Sequence, residues 1–195
     1  MTHMDEPDIT AVILAGGSSR RFADAGHPTD KLALTHAGQS LLTTVIESAR
    51  ATCPHIIVVG PDRPDVRDVH FVREEPAGGG PVAALAAALP RVSTHLIAFL
   101  AGDAPRGPLA IPGLVSALAD TPSADGVHVV TDRAQYLCGV YRTLSLQAQI
   151  AALASVEAAA LHTLLADLTL VTVADKGEWS RDVDTPADAR ALGYG

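Results

Sequence analysis

Residues 9 to 31 hold the densest chemistry in the chain. An apolar run, Ile9 to Ala15, stops at Gly16-Gly17, and Ser18, Ser19, Arg20, Arg21 and then Lys31 follow. A buried strand that delivers a Gly-rich loop and three cations describes a polyphosphate cradle. Glycine lets the backbone approach an anion, and successive N–H groups can point into one concavity. A helix turn starting near Ser18 would add the field of its N-terminal N–H groups. A second feature is Asp103, in Ala101-Gly102-Asp103-Ala104-Pro105, directly after the most apolar segment, His95 to Leu100. A carboxylate just past the carboxyl end of a central strand stands where open α/β sheets bind ligands, and it suits Mg²⁺. Asp184-Thr185-Pro186 near the end of the chain reads as strand end, helix cap and helix start.

These groups need a scaffold that brings distant segments together. Apolar runs at 9–15, 55–60, 69–72, 95–100 and 168–173 read as strands, with 127–131 and 136–141 as a hairpin-like pair. Helical spacing occupies 40–51, with Ser40 as cap. An Ala/Leu helix opens from Gly78-Gly79-Gly80-Pro81 and stops at Pro90. Further helices are expected at 112–118, 144–153, 156–165 and from Pro186. Strands that alternate with helices imply an α/β fold, a three-layer, doubly wound, mostly parallel sheet. Right-handed crossovers would bring the ends of the first, fourth and last strands to one rim. Gly16, Asp103 and Asp184 are then expected to meet.

Composition narrows the partners. The chain has 195 residues, 48% of them hydrophobic but only 4% aromatic, so its core is expected to be aliphatic. Length and the lack of a linker favour a short tail (1–8) and one domain (9–195). The formal net charge of −8 argues against nucleic acid or an anionic membrane as partner, since both demand a basic face. Cys53 and Cys138 form neither a disulfide framework nor zinc spacing and read as core fillers. The acidic, polar start is unlike a signal peptide and no run is long enough to span a bilayer, so the expected location is the cytoplasm.

The string Leu14-Ala15-Gly16-Gly17, followed by Ser19, Arg21 and Asp30-Lys31, resembles the signature loop of nucleotidyltransferases related to sugar-nucleotide pyrophosphorylases. Within them it is most similar to the MobA-like family, the molybdenum cofactor guanylyltransferases. The resemblance runs from Ile9 to about Leu192 and implies the nucleotide-diphospho-sugar transferase-like, Rossmann-like version of the fold. It makes Ser19 the loop serine, Arg21 the phosphate arginine and Lys31 the catalytic lysine. Asp103 becomes the metal aspartate, Asp184 a second metal ligand and Asp182 its neighbour. Gly80-Pro81-Val82-Ala83-Ala84 matches a segment near base and ribose, and Glu74 falls where the family usually has Asp. The chain departs from the pattern at Phe22-Ala23, at Ala84 and in a longer loop before Lys31. Apart from the resemblance, Asp30 before Lys31 reads either as orienting the lysine or as half of a solvated surface pair.

What the resemblance implies is GMP transfer from GTP to a molybdopterin-type acceptor, with Mg²⁺ as cofactor and pyrophosphate as product. It also implies contact with other proteins of cofactor biosynthesis or molybdoenzyme maturation. A cytidylyltransferase for the same cofactor, or a transferase for another phosphorylated metabolite, stays open beside it. So does a non-catalytic nucleotide-binding protein. A different reading uses Gly78-x-Gly80-x-x-Ala83 as a dinucleotide fingerprint. Residues 74–77 separate that string from its strand, and Pro81 removes an N–H that pyrophosphate would want.

Overall fold

The first strand, β1 (Ile9–Leu14), is apolar on both faces because both are covered. Ile9, Ala11 and Ile13 enter one core, and Val12 enters the other. Thr10 is the buried exception, and its hydroxyl hydrogen-bonds that of Thr94 at 2.8 Å. The computed structural model describes residues 8–17, 22, 30–157 and 159–195.

β1 pairs in parallel with β4 (His55–Val59) on one side and β6 (Leu96–Ala101) on the other. β5 (His70–Val72) extends the sheet beyond β4. Beyond β6 lies β8 (Ala134–Arg142), which runs antiparallel to β6 and to β7 (Gly126–Val130); β7 then pairs in parallel with β9 (Leu170–Ala174). The seven-strand order is β5-β4-β1-β6-β8-β7-β9, so β6 is central. The expected hairpin-like pair is present and carries a register shift between His128 and Val129. A two-strand ribbon not read from the sequence, β2 (Thr35–His36) with β3 (Gln39–Ser40), turns at Ala37 and Gly38, both with positive φ.

Helices cover both faces. On one lie α1 (Leu41–Arg50), α3 (Ile111–Ala119) and α6 (Pro186–Ala191). On the other lie α2 (Gly80–Ala88), α4 (Thr143–Ala152) and α5 (Leu161–Leu164). Ser40 caps α1 as expected, accepting from the Thr43 N–H at 3.2 Å. Thr185 caps α6 in a reciprocal capping box with Asp188, and Pro186 opens the helix. Cys53 and Cys138 are buried, and burial pushes both thiols up to about 12, which keeps them protonated. Among the described residues no helix is long and apolar enough to cross a membrane.

Two expectations need correction. The helix expected at 156–165 is confined to Leu161–Leu164. Ser155 Oγ accepts from the Glu157 N–H at 3.1 Å, so a local side-chain turn competes with helix at its start. The last strand also does not deliver Asp184. β9 is at the far edge of the sheet, and the chain returns to the centre through residues 175–183. Asp175 turns it. Its carboxylate accepts from the N–H groups of Gly177, Trp179 and Ser180 at 3.3, 2.8 and 3.0 Å, and from the Ser180 hydroxyl at 2.7 Å. The Val183 N–H then bonds the Asp103 carbonyl at 2.9 Å.

Desolvation works against the Asp175 carboxylate, but these donors outweigh it and hold its pKa below the usual value. Because the folded value lies below the unfolded one, the loop's stabilisation is complete above about pH 4 and is lost as pH falls through the depressed value. Trp179, the single tryptophan of the sequence, sits in this loop and reports on it. Its fluorescence should be constant above about pH 4 and change below it. Asp175→Asn should give the acid-type signal already at neutral pH, and identical neutral spectra would contradict the assignment.

Candidate active site

The carboxyl ends of β1, β4 and β6 frame an open cleft of about 310 Å³. Its floor is apolar, with Leu14, Val59, Ala84 and Leu137, one from each of β1, β4, α2 and β8. Polar and backbone groups form the walls: Gly16 and Gly17 on one side, Gly78, Gly80 and Pro81 on another, Glu74 between them. Lys31 and Asp103 complete it. An apolar floor with a few convergent polar groups suits a flat heterocycle carrying a charged tail.

Lys31 opens a 3-10 turn, Lys31–Ala33, whose N-cap is Asp30. Asp30 Oδ1 accepts from the Leu32 N–H at 3.1 Å, and the buried Leu32 side chain anchors the turn in the core. Lys31 Nζ lies 2.6 Å from Asp103 Oδ2 and 3.2 Å from Asp184 Oδ1. The three side chains are 13%, 21% and 38% exposed, so this is a half-sheltered charge cluster. Burial disfavours the ammonium, but the Asp103 and Asp184 carboxylates outweigh that effect and hold the Lys31 pKa above the ordinary lysine value.

Asp182 joins the group from the exposed rim. One carboxylate oxygen each from Asp103, Asp182 and Asp184 falls within a sphere where all lie within 4.8 Å of one another. Partial desolvation raises the Asp182 pKa, and the negative charges of Asp184 and Asp103 add to the rise. Hard oxygen donors crowded in this way fit a divalent cation such as Mg²⁺.

Two of the glycines at the site make close approaches of different kinds, Gly102 to backbone and Gly16 to the end of a side chain. Gly102 lies on the β1 backbone: its N–H donates to the Leu14 carbonyl at 2.9 Å, and a Cβ there would meet that oxygen at 2.6 Å. At Gly16 a Cβ would lie 2.9 Å from Glu74 Oε1. The same Glu74 oxygen accepts from the Gly78 N–H at 3.0 Å, so Glu74 spans the cleft between the two glycine segments.

The structure therefore brings Leu14, Gly16, Gly17, Lys31 and Glu74 to one cleft with Gly80, Pro81 and Asp103. Ala15 is buried, and its N–H bonds the Val59 carbonyl at 2.7 Å, so it shapes the wall through its backbone. Asp184 reaches the site through its ion pair with Lys31. Ser19 and Arg21 lie outside the described residues. Val59 and Leu137 went unread because single apolar residues inside strands carry no signal of their own. Arg63, in the segment after β4, also went unread. It ion-pairs with Asp30, beside Lys31, and its place past a strand's carboxyl end was the available cue.

Strand order, covered faces and the cleft at the strand ends define a doubly wound, Rossmann-like α/β protein. Residues 11–171 match the family model of the MobA-like NTP transferase domain, and the chain belongs to that family. A probable molybdenum cofactor guanylyltransferase of Synechococcus elongatus is 37% identical over 107 residues, 51% of this chain and 52% of that relative. The match thus spans about half the length of the curated relatives. Among solved structures, molybdopterin-guanine dinucleotide biosynthesis protein A from Archaeoglobus fulgidus superposes with a TM-score of 0.70 at 19% identity, over 94% of this chain and 96% of that one. A nucleotidyl transferase from Methanothermobacter thermautotroptrophicus gives 0.72 at 19% identity, over 95% of each chain. A CMP:2-keto-3-deoxy-manno-octonic acid synthetase complexed with CTP gives 0.70 at 19% identity, over 94% of this chain and 96% of that one.

The two glycines separate folding from binding. Gly102→Ala drives a Cβ into backbone and should cost about 1–3 kcal/mol, read as a fall in Tm of several degrees. Gly16→Ala meets only the end of a flexible glutamate, so its Tm should stay near the parent value while nucleotide affinity falls. Equal Tm losses in the two variants would contradict this division.

Proposed function

We propose that the protein is a guanylyltransferase that moves GMP from GTP to the phosphate of a molybdopterin-type acceptor and releases pyrophosphate. The observation that carries this reading is the convergence of Lys31, Asp103 and Asp184 at a cleft walled by Gly16 and Gly17. Family membership and the names of the relatives support it.

In the reaction an acceptor phosphate oxygen bonds to the α-phosphorus of GTP, and the bond to the bridging α–β oxygen breaks. A phosphate monoester is already ionised, so no general base is needed. Two anions must approach each other, and the protein's task is positioning and charge cancellation. Lys31 turns its ammonium from the carboxylates towards the α-phosphate and the leaving oxygen. The backbone N–H groups of Gly16 and Gly17, with Arg21, hold the remaining phosphates. Asp103 and Asp184, with Asp182 beside them, are the residues that would hold Mg²⁺. When bound, that ion supplies neutralisation between the reacting phosphates.

Glu74 favours guanine over cytosine. A carboxylate accepts, and guanine offers two adjacent donors on its pairing edge. Cytosine offers one donor flanked by an acceptor, which a carboxylate repels. Leu14, Val59 and Ala84 supply the flat apolar surface beneath the base.

The test is turnover of GTP with molybdopterin, followed as pyrophosphate release. Asp103→Asn should keep its fold by circular dichroism and lose turnover on the order of 10²-fold or more. Lys31→Ala should still bind GTP and react on the order of 10²-fold more slowly. Normal turnover in either variant removes that residue from the mechanism, and a preference for CTP over GTP changes the product.

A further inference from the structure

We infer that Arg63 is a positioning residue for Lys31, acting through Asp30, an inference that rests on the proposed role of Lys31. Arg63 stands in the segment that follows β4, whose last residue, Val59, lines the cleft. Its guanidinium grips Asp30 as a fork: Nη1 donates to Asp30 Oδ2 at 2.7 Å and Nη2 to Oδ1 at 3.0 Å. Two parallel charge-assisted bonds fix orientation as well as distance.

What Asp30 does with that orientation matters for the next residue. Asp30 Oδ1 also accepts from the Leu32 N–H, and its carbonyl accepts from the Ala33 N–H at 3.1 Å. Asp30 is thus the start of the three-residue turn that launches Lys31. A turn this short has few bonds of its own to hold its direction. Lys31 Nζ must nonetheless reach Asp103 and Asp184, which lie on two other segments. The Arg63 fork supplies the rigidity that the turn lacks.

The arginine is not an ordinary surface partner. Its side chain is only 12% exposed, against 48% for Asp30. Its Nε is buried and, among the described residues, has no hydrogen-bond partner. An unsatisfied buried donor is a cost that an apolar side chain filling the same space would avoid. The fork on Asp30 is the gain that offsets it. Lysine cannot reproduce the fork, since it offers a single ammonium.

Lysine labelling tests the inference without depending on any catalytic activity. The sequence contains only two lysines, Lys31 and the exposed Lys176, so Lys176 is an internal reference. The full chain is treated with an acetylating reagent at pH 8, and the ratio of Lys31 to Lys176 modification is read by mass spectrometry. In the parent protein the paired Lys31 should react slowly. Arg63→Ala and Arg63→Lys should each raise the ratio about threefold or more, as a less firmly held Lys31 leaves its 13% exposed position for solvent. Asp30→Asn should do the same, and the double variant Asp30→Asn/Arg63→Ala should show no further rise, because both changes break one unit. A ratio unchanged in the folded Arg63→Lys variant, or additive effects in the double variant, would overturn the inference. In a turnover assay Arg63→Ala should lower kcat by about tenfold or more with little change in nucleotide KM. If labelling responds while no turnover is found in the parent protein, the proposed reaction fails and the positioning role stands.

Discussion

One ammonium holds three distant parts of the chain together. Lys31 opens the short turn Lys31–Ala33, Asp103 lies two residues past the central strand β6, and Asp184 lies 153 positions beyond the lysine. Two like-charged aspartates would otherwise repel, and Asp182 adds a third carboxylate to the same small volume. Among the described residues, the Lys31 ammonium stands beside three carboxylates. Unit charges 4 Å apart interact by roughly 4 kcal/mol at the effective dielectric of a protein surface, enough to order side chains that desolvation alone would disperse. The Lys31 contacts to Asp103 and Asp184 offset part of the repulsion among the carboxylates.

The sheet makes that contact possible. β1 and β6 are neighbours in register from Ile9 with Leu96 to Leu14 with Ala101, so the two loops that leave them start side by side. Gly102 allows the second loop to lie against the first strand without a side chain in between. The C-terminal segment is recruited separately, by the turn around Asp175 and by the Val183 bond to the Asp103 carbonyl. Membership of the MobA-like NTP transferase family accounts for the architecture, while the particular anchors, Asp175 and the Arg63 fork, are read from this chain's own side chains.

Much of this was legible from the residues. β1, β4 and β6 announce themselves as apolar runs ended by glycine or by Gly-Asp, and the same pattern puts Asp103 just past a strand's carboxyl end. Ser40 and Thr185 read correctly as caps because capping is local chemistry. What depended on tertiary contact did not show. Asp184 looked like the end of a strand, since Asp-Thr-Pro gives the same local signal after a strand or after a loop. The apolar stretch after Ser155 looked helical because periodicity does not register a side chain that bonds its own backbone. Arg63 has no motif: its meaning arises only when Asp30, 33 positions earlier, lies beneath it.

The central claim is that this cleft binds a guanine nucleotide together with a divalent cation. Calorimetric titration of GTP and of CTP, each with Mg²⁺ and again with EDTA, addresses it directly. Saturable GTP binding that is tighter than CTP binding and weakened by EDTA is the predicted result. Binding of neither nucleotide under either condition, or GTP binding indifferent to both metal and base, would contradict it.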